Sequence, residues 1–291
     1  MQLITALATP FCNGKIDFDS YEKLLERQQI ADEILCAGTT AEGGLLTQNE
    51  KSTLVGIAKS YFPKTPVWVG ISCGCTDFAV EEAICAKKAG ASGLLVSPPA
   101  FFKCTKEGFT QHVLHVCNAT GLPVMLYNAP SRCGYTLNKG AVKTLALLAP
   151  QNVFLKDAGN DADYVKELSR ILPVFCGNEE YLPQFVQSGA VGVVSVVANV
   201  APKLTKKAME FWQESTQKQG QDLAQTPDCV KIFHQLARLA FCQLNPIPIK
   251  YMLHKANVFK HFDVRLPLTS ADEQTQRQID EFWEEHGTEI C

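Results

Sequence analysis

Eight short apolar runs, separated by helix-length stretches, constrain this sequence more than any other feature. They are Leu3–Ala8, Ile34–Thr39, Val67–Ser72, Gly93–Ser97, Val124–Asn128, Val153–Lys156, Val174–Gly177 and Gly192–Ala198. Each is nearly continuous in hydrophobicity, the pattern of strands covered on both faces by helices. The intervening stretches are long enough for parallel crossovers. Several open with a side chain suited to cap a helix, Asp19 before Tyr21 and Thr105 before Lys106 among them. Eight β/α units ending near Gln217 predict a closed (β/α)₈ TIM barrel. An open doubly wound sheet is the alternative, weakened because no three-glycine dinucleotide fingerprint follows the first run. The barrel is read over residues 1–221. Residues 222–291, with helical patterns at Val230–Leu244 and Glu273–His286, are read as a C-terminal helical appendix.

Composition narrows the function. The 291 residues are 46% hydrophobic and 20% charged with a formal net charge of -3, which fits a globular chain and excludes a disordered one. No basic stripe interleaved with aromatics is present to grip a phosphate backbone, so nucleic acid is not an expected partner. No apolar run reaches the ~18 residues that span a bilayer, so no membrane is expected either. Met1–Ala6 carry no positively charged leader, and Thr9-Pro10 breaks the first apolar stretch. Most of the twelve cysteines sit singly in apolar segments. Cys36, Cys85, Cys117, Cys176 and Cys242 are therefore expected as small buried hydrophobes in a reducing, cytoplasmic setting rather than as a disulfide framework.

In such a barrel the polar residues at the C-terminal strand ends share one mouth. The second run ends in Gly38-Thr39-Thr40-Ala41-Glu42-Gly43, the fifth continues as Tyr127-Asn128-Ala129-Pro130-Ser131-Arg132-Cys133-Gly134, and the sixth ends in Leu155-Lys156-Asp157. A lysine inside a core strand is either desolvated or paired. A desolvated amine gives up its proton more readily and can attack a ketone to form an imine. A paired one would reach an acid such as Glu42 or Asp157. From strand position alone the two readings stand level. Tyr127 could pass protons to a carbinolamine, or be a core tyrosine satisfied by backbone. Thr39 and Thr40 could bind substrate or simply bridge their turn. Arg132, in a short loop at the mouth, presents a planar fork that suits a carboxylate, though a lone arginine is more often a solvated charge.

Taken together and in this order, these segments resemble the pyruvate-dependent class I aldolases of the dihydrodipicolinate synthase and N-acetylneuraminate lyase family. Cys176-Gly177-Asn178-Glu179, Gly192 to Val196, and Asn245-Pro246-Ile247-Pro248-Ile249-Lys250 extend the likeness over essentially the whole chain. Ala41 stands where the family has glycine. The resemblance implies that Lys156 forms an imine with pyruvate while Thr40 and nearby amides hold its carboxylate. It further implies that Tyr127 relays protons with Thr39, and that Gly177 and Val194 line the pyruvate end. Arg132 after Tyr-Asn-x-Pro-Ser points, within the family, to members that condense pyruvate with L-aspartate 4-semialdehyde on the route to diaminopimelate and lysine. The covalent imine leaves no cofactor or metal to be expected. The resemblance also implies a homo-oligomer, a tetramer built as a dimer of dimers, in which the loop after the fourth strand is lent across a tight two-fold interface.

One position departs from the family. The relay there ends in a second tyrosine, and Pro98-Pro99-Ala100-Phe101-Phe102-Lys103 puts Phe101 in its place. Phenylalanine carries no proton, so a water or another phenol such as Tyr135 would complete the relay, or the enzyme is slow or takes a different acceptor. The rivals are a sugar-acid or N-acetylneuraminate lyase of the same family, a non-catalytic pyruvate or sugar-acid binder, and a metal-dependent aldolase. The last needs ligands converging at the strand ends. His112 and His115 fall instead in the helix after the fourth strand, and Cys73-Gly74-Cys75 does not complete a metal site alone. Aligned through the family motifs, Gln48, Gly74, Phe78 and Ala100 replace the polar set that holds the effector L-lysine in sensitive members, so weak or absent feedback is expected.

Overall fold

The computed structural model describes residues 1–72, 74–99, 102–149, 152–217 and 226–290. Its eight parallel strands are β1 (Gln2–Ala6), β2 (Glu33–Cys36), β3 (Val67–Ile71), β4 (Gly93–Val96), β5 (Val124–Asn128), β6 (Val153–Asp157), β7 (Val174–Cys176) and β8 (Gly192–Ser195). They close into a barrel, β1 meeting β8 with Gln2 opposite Gly192 and Thr5 opposite Ser195. The closed ring decides against the open sheet.

Successive side chains along a strand point to opposite faces. Leu3, Val67, Val69, Leu94, Leu126 and Leu155 belong to the large core of the molecule. The alternate set, Ile4, Leu35, Trp68, Met125, Phe154 and Phe175, forms a second cluster that fills the barrel. Each such side chain contributes roughly 1.5–3 kcal/mol by leaving water. Two strand-start glycines make room for the large rings. A Cβ on Gly93 would lie 2.6 Å from the Trp68 ring, and one on Gly192 would lie 2.7 Å from Phe175.

Two runs end three residues earlier than their hydrophobicity predicts. β2 stops at Cys36 because Ala37 turns into the left-handed region at φ 52° and the chain folds back so tightly that a Cβ on Gly43 would lie 1.8 Å from the Ala37 carbonyl oxygen. β8 stops at Ser195, where the Val196 and Val197 amides leave the ladder and donate to Glu179 Oε1 at 2.5 and 2.9 Å. The helix after β1, α1 (Phe18–Glu26), is capped by Asp17 rather than Asp19: the Asp17 side chain accepts from Ser20 N, and Asp19 sits in the first turn. Thr105 does cap its helix, accepting from Gly108 N. Other helices used below are α2 (Gln48–Tyr61), α3 (Thr76–Lys88) and α4 (Lys106–Thr120).

Among the described residues the C-terminal segment has three helices, one beyond the two patterns named in the sequence: Asp228–Leu239, Ile247–Lys255 and Glu273–Ile290. The first ends five residues short of Leu244, with Ala240 as its C-cap. The second, hidden in a proline-rich motif, carries Pro248 in its first turn, where a missing N–H costs nothing. The boundary predicted between residues 221 and 222 lies outside the described residues. Among the described residues no helix is long and apolar enough to cross a membrane.

Candidate active site

Tyr127 and Lys156 are opposite one another in the β5–β6 ladder, and alternation sends both side chains into the barrel. Lys156 Nζ lies 4.7 Å from the centroid of the Tyr127 ring, and the lysine is only 5% exposed. Both acids that could have paired with it are engaged elsewhere. Glu42 is bound to Lys250 at 2.5 Å. Asp157 accepts from Asn128 Nδ2 at 2.5 Å and from Gly159 N at 3.1 Å. Among the described residues no acid forms an ion pair with Lys156. Burial pushes the Asp157 carboxyl up to about 6 against the opposing pull of the Asn128 amide.

The sequence around Lys156 is shaped to give it space. A Cβ on Gly177 would sit 3.0 Å from Lys156 Cε and 2.7 Å from the Asp157 carbonyl oxygen, so the strand beside the lysine needs glycine there. Val194, fully buried on β8, belongs to the same interior cluster as Tyr127. Thr39, Tyr127 and Arg132 line a cavity of about 310 Å³ at the C-terminal ends of the strands, together with Ser72, Ser97 and Asn245. Lys156, Thr40, Gly177 and Val194 are not on that lining. Lys156 lies one side chain deeper, against the Tyr127 ring. Thr40 is 2% exposed and its hydroxyl accepts from Asn245 Nδ2 at 3.1 Å. Arg132 stands on a single helical turn, Pro130–Cys133, rather than in a loop, and donates to the Asn245 carbonyl at 3.3 Å.

Sequence reasoning missed Asn245 and Lys250 as site residues. Their signal was the Asn-Pro-Ile-Pro-Ile-Lys motif, but only the fold brings it to the mouth. Burial pulls Lys250 down to about 8, with Glu42 opposing the fall. Asn245 Oδ1 is buried and has no hydrogen-bond partner. Tyr135 lines a separate cavity of about 280 Å³ with Cys104, Lys106 and Asn138, and its hydroxyl accepts from Cys104 N at 3.4 Å. Phe101, Ala100 and Cys73 lie outside the described residues. His112 is buried on α4, hydrogen-bonded with the Thr76 hydroxyl, whereas His115 is exposed and bonds its own helix at the Gln111 carbonyl. Cys36 and Cys176 are buried as expected, but Cys85 and Cys117 are only half-buried and Cys242 is exposed because its helix has already ended at Leu239.

A closed (β/α)₈ barrel with an unpaired amine in its interior and an arginine at its mouth is the frame of an imine-forming lyase. The chain belongs to the dihydrodipicolinate synthetase family, whose model matches residues 1–285. It is 35% identical over 286 residues to a 4-hydroxy-tetrahydrodipicolinate synthase of Rickettsia bellii, covering 96% of this chain and 95% of the relative. A synthase of the same name from Alkaliphilus oremlandii is 32% identical over 282 residues, covering 94% of each. Among solved structures, dihydrodipicolinate synthase from Aquifex aeolicus superposes with a TM-score of 0.90 at 27% identity, covering 98% of both chains.

Proposed function

We propose that this enzyme condenses pyruvate with L-aspartate 4-semialdehyde to give 4-hydroxy-tetrahydrodipicolinate, the product named by its curated relatives. The observation that carries the reading is Lys156, buried, free of any ion pair among the described residues, and in register with Tyr127. The neutral amine attacks the keto carbon of pyruvate, and water leaves as the imine forms. Thr40 and neighbouring amides hold the pyruvate carboxylate, with Gly177 and Val194 at that end of the pocket. Tyr127, working with Thr39, moves the protons of the carbinolamine. Loss of a methyl proton converts the imine to an enamine, which forms a carbon–carbon bond to the aldehyde while Arg132 holds the second substrate's carboxylate. The substrate's amino group then displaces Lys156 and closes the ring. The protonated imine on Lys156 is the electron sink, so the reaction calls for neither metal nor organic cofactor. The enzyme works in the cytoplasm as a tetramer, a dimer of dimers.

The acceptor is tested by measuring kcat/KM at fixed pyruvate with aspartate semialdehyde, N-acetylmannosamine and glyceraldehyde. The reading expects aspartate semialdehyde to lead by about 100-fold or more, as a site built around a carboxylate-binding fork should. A preference for either sugar aldehyde would move the enzyme to another branch of the family.

A further inference from the structure

The molecule buries a second lysine that the reaction does not use. Lys250, on the helix Ile247–Lys255, has no exposed surface, and its Nζ lies 4.3 Å from the centroid of the Phe11 ring. It donates to Glu42 Oε1 at 2.5 Å and to the Asp263 carbonyl at 2.6 Å. Glu42 closes the turn that carries Thr39 and Thr40. Its own backbone is left-handed, at φ 55°, which a residue with a Cβ seldom adopts unless its surroundings hold it there. Its second oxygen accepts from Arg265 N at 2.8 Å. The turn's internal hydrogen bonds, Glu42 N to Thr39 O and Gly43 N to Gly38 O, fix its shape. Its seat against the rest of the mouth comes from the C-terminal segment, through Asn245 to Thr40, Lys250 to Glu42 and Arg265 to Glu42.

We propose that Lys250 is a positioning residue: through Glu42 it sets where the Thr39–Thr40 turn presents its hydroxyls and amides to the carboxylate of pyruvate. This rests on the pyruvate reading given above. A pre-seated turn binds without having to be ordered by the substrate. Loosening it therefore weakens pyruvate binding and slows the proton transfers that Thr39 shares with Tyr127, while leaving the hold of Arg132 on the second substrate.

Steady-state kinetics of Lys250→Met and Glu42→Gln test this. Lys250→Met leaves the Glu42 charge buried without a cation and is prone to misfold. Glu42→Gln alone would in turn bury the Lys250 charge without its acid, so the double variant Lys250→Met/Glu42→Gln, which leaves neither charge unpaired, carries the test. The pyruvate KM is expected to rise more than about fivefold, with the semialdehyde KM within about twofold of wild type. A merely structural role would lower the folded fraction, and so kcat, with the pyruvate KM unmoved. A smaller rise in the pyruvate KM of the double variant overturns the proposal. Borohydride trapping on the wild type separates the two levels: no pyruvate adduct removes the pyruvate reading itself, whereas an adduct with an unmoved KM in the variant removes only the role of Lys250.

Discussion

Two neighbours of Lys156 make the residue-scale account testable. Gly177→Ala would place a methyl group 3.0 Å from Lys156 Cε and 2.7 Å from a backbone oxygen, so something must shift. A displacement approaching an ångström at the reacting amine costs on the order of 100-fold in rate. A drop of that order in kcat/KM for pyruvate is expected, and unchanged kinetics would show that the lysine is not confined there. Asp157 sets a pH dependence of unusual sign. Its carboxyl is raised from 3.8 to about 6 in the folded protein, so the folded state holds an extra proton between those values. This group's contribution to stability therefore rises as pH falls through 6 and levels off below 3.8, amounting to roughly 3 kcal/mol at most. Thermal melts of wild type against Asp157→Asn should show the wild type gaining on the variant between pH 7 and pH 4.5, and the opposite trend would mean the carboxylate is not strained by burial. Lys156, Tyr127 and Arg132 were legible in the sequence because a polar residue at the end of an apolar strand stands out. Lys250 and Asn245 were not, since their partners Glu42 and Thr40 lie more than two hundred residues away in sequence.

At the scale of elements, the strands were legible from continuous hydrophobicity and their ends were not. Where β2 and β8 stop is decided by a left-handed turn and by amides drawn to Glu179, events that hydrophobicity does not encode. The helix pair α2 and α3 carries a further consequence. Between them lies a cavity of about 400 Å³ lined by Gln48, Lys51, Ser72, Phe78, Glu81 and Glu82. It is more polar than the sequence alignment alone indicated, but Lys51 and Glu82 are already paired with each other inside it. An incoming L-lysine finds Glu82 and Lys51 engaged with each other, and of the residues named only the exposed Glu81 is left as an acid. Half-inhibition is therefore expected only above about 1 mM, corresponding to roughly 4 kcal/mol of binding or less. A titration with a lower midpoint would show that the ion pair opens for the ligand.

For the whole molecule, the barrel was readable because eight similar units left few ways to bury their strands. An assembly is expected only by resemblance. Sedimentation at about 1 µM is expected to show a dimer or larger species, the self-complementary two-fold arrangement being the commonest, and a monomer would contradict it. The measurement that bears most directly on the central claim is covalent. Incubating the protein with pyruvate, reducing with borohydride and digesting for mass spectrometry should place one reduced pyruvate adduct on Lys156, with none on Lys156→Ala of unchanged fold. Absence of an adduct on the wild type, or its appearance on any other lysine, would contradict the account.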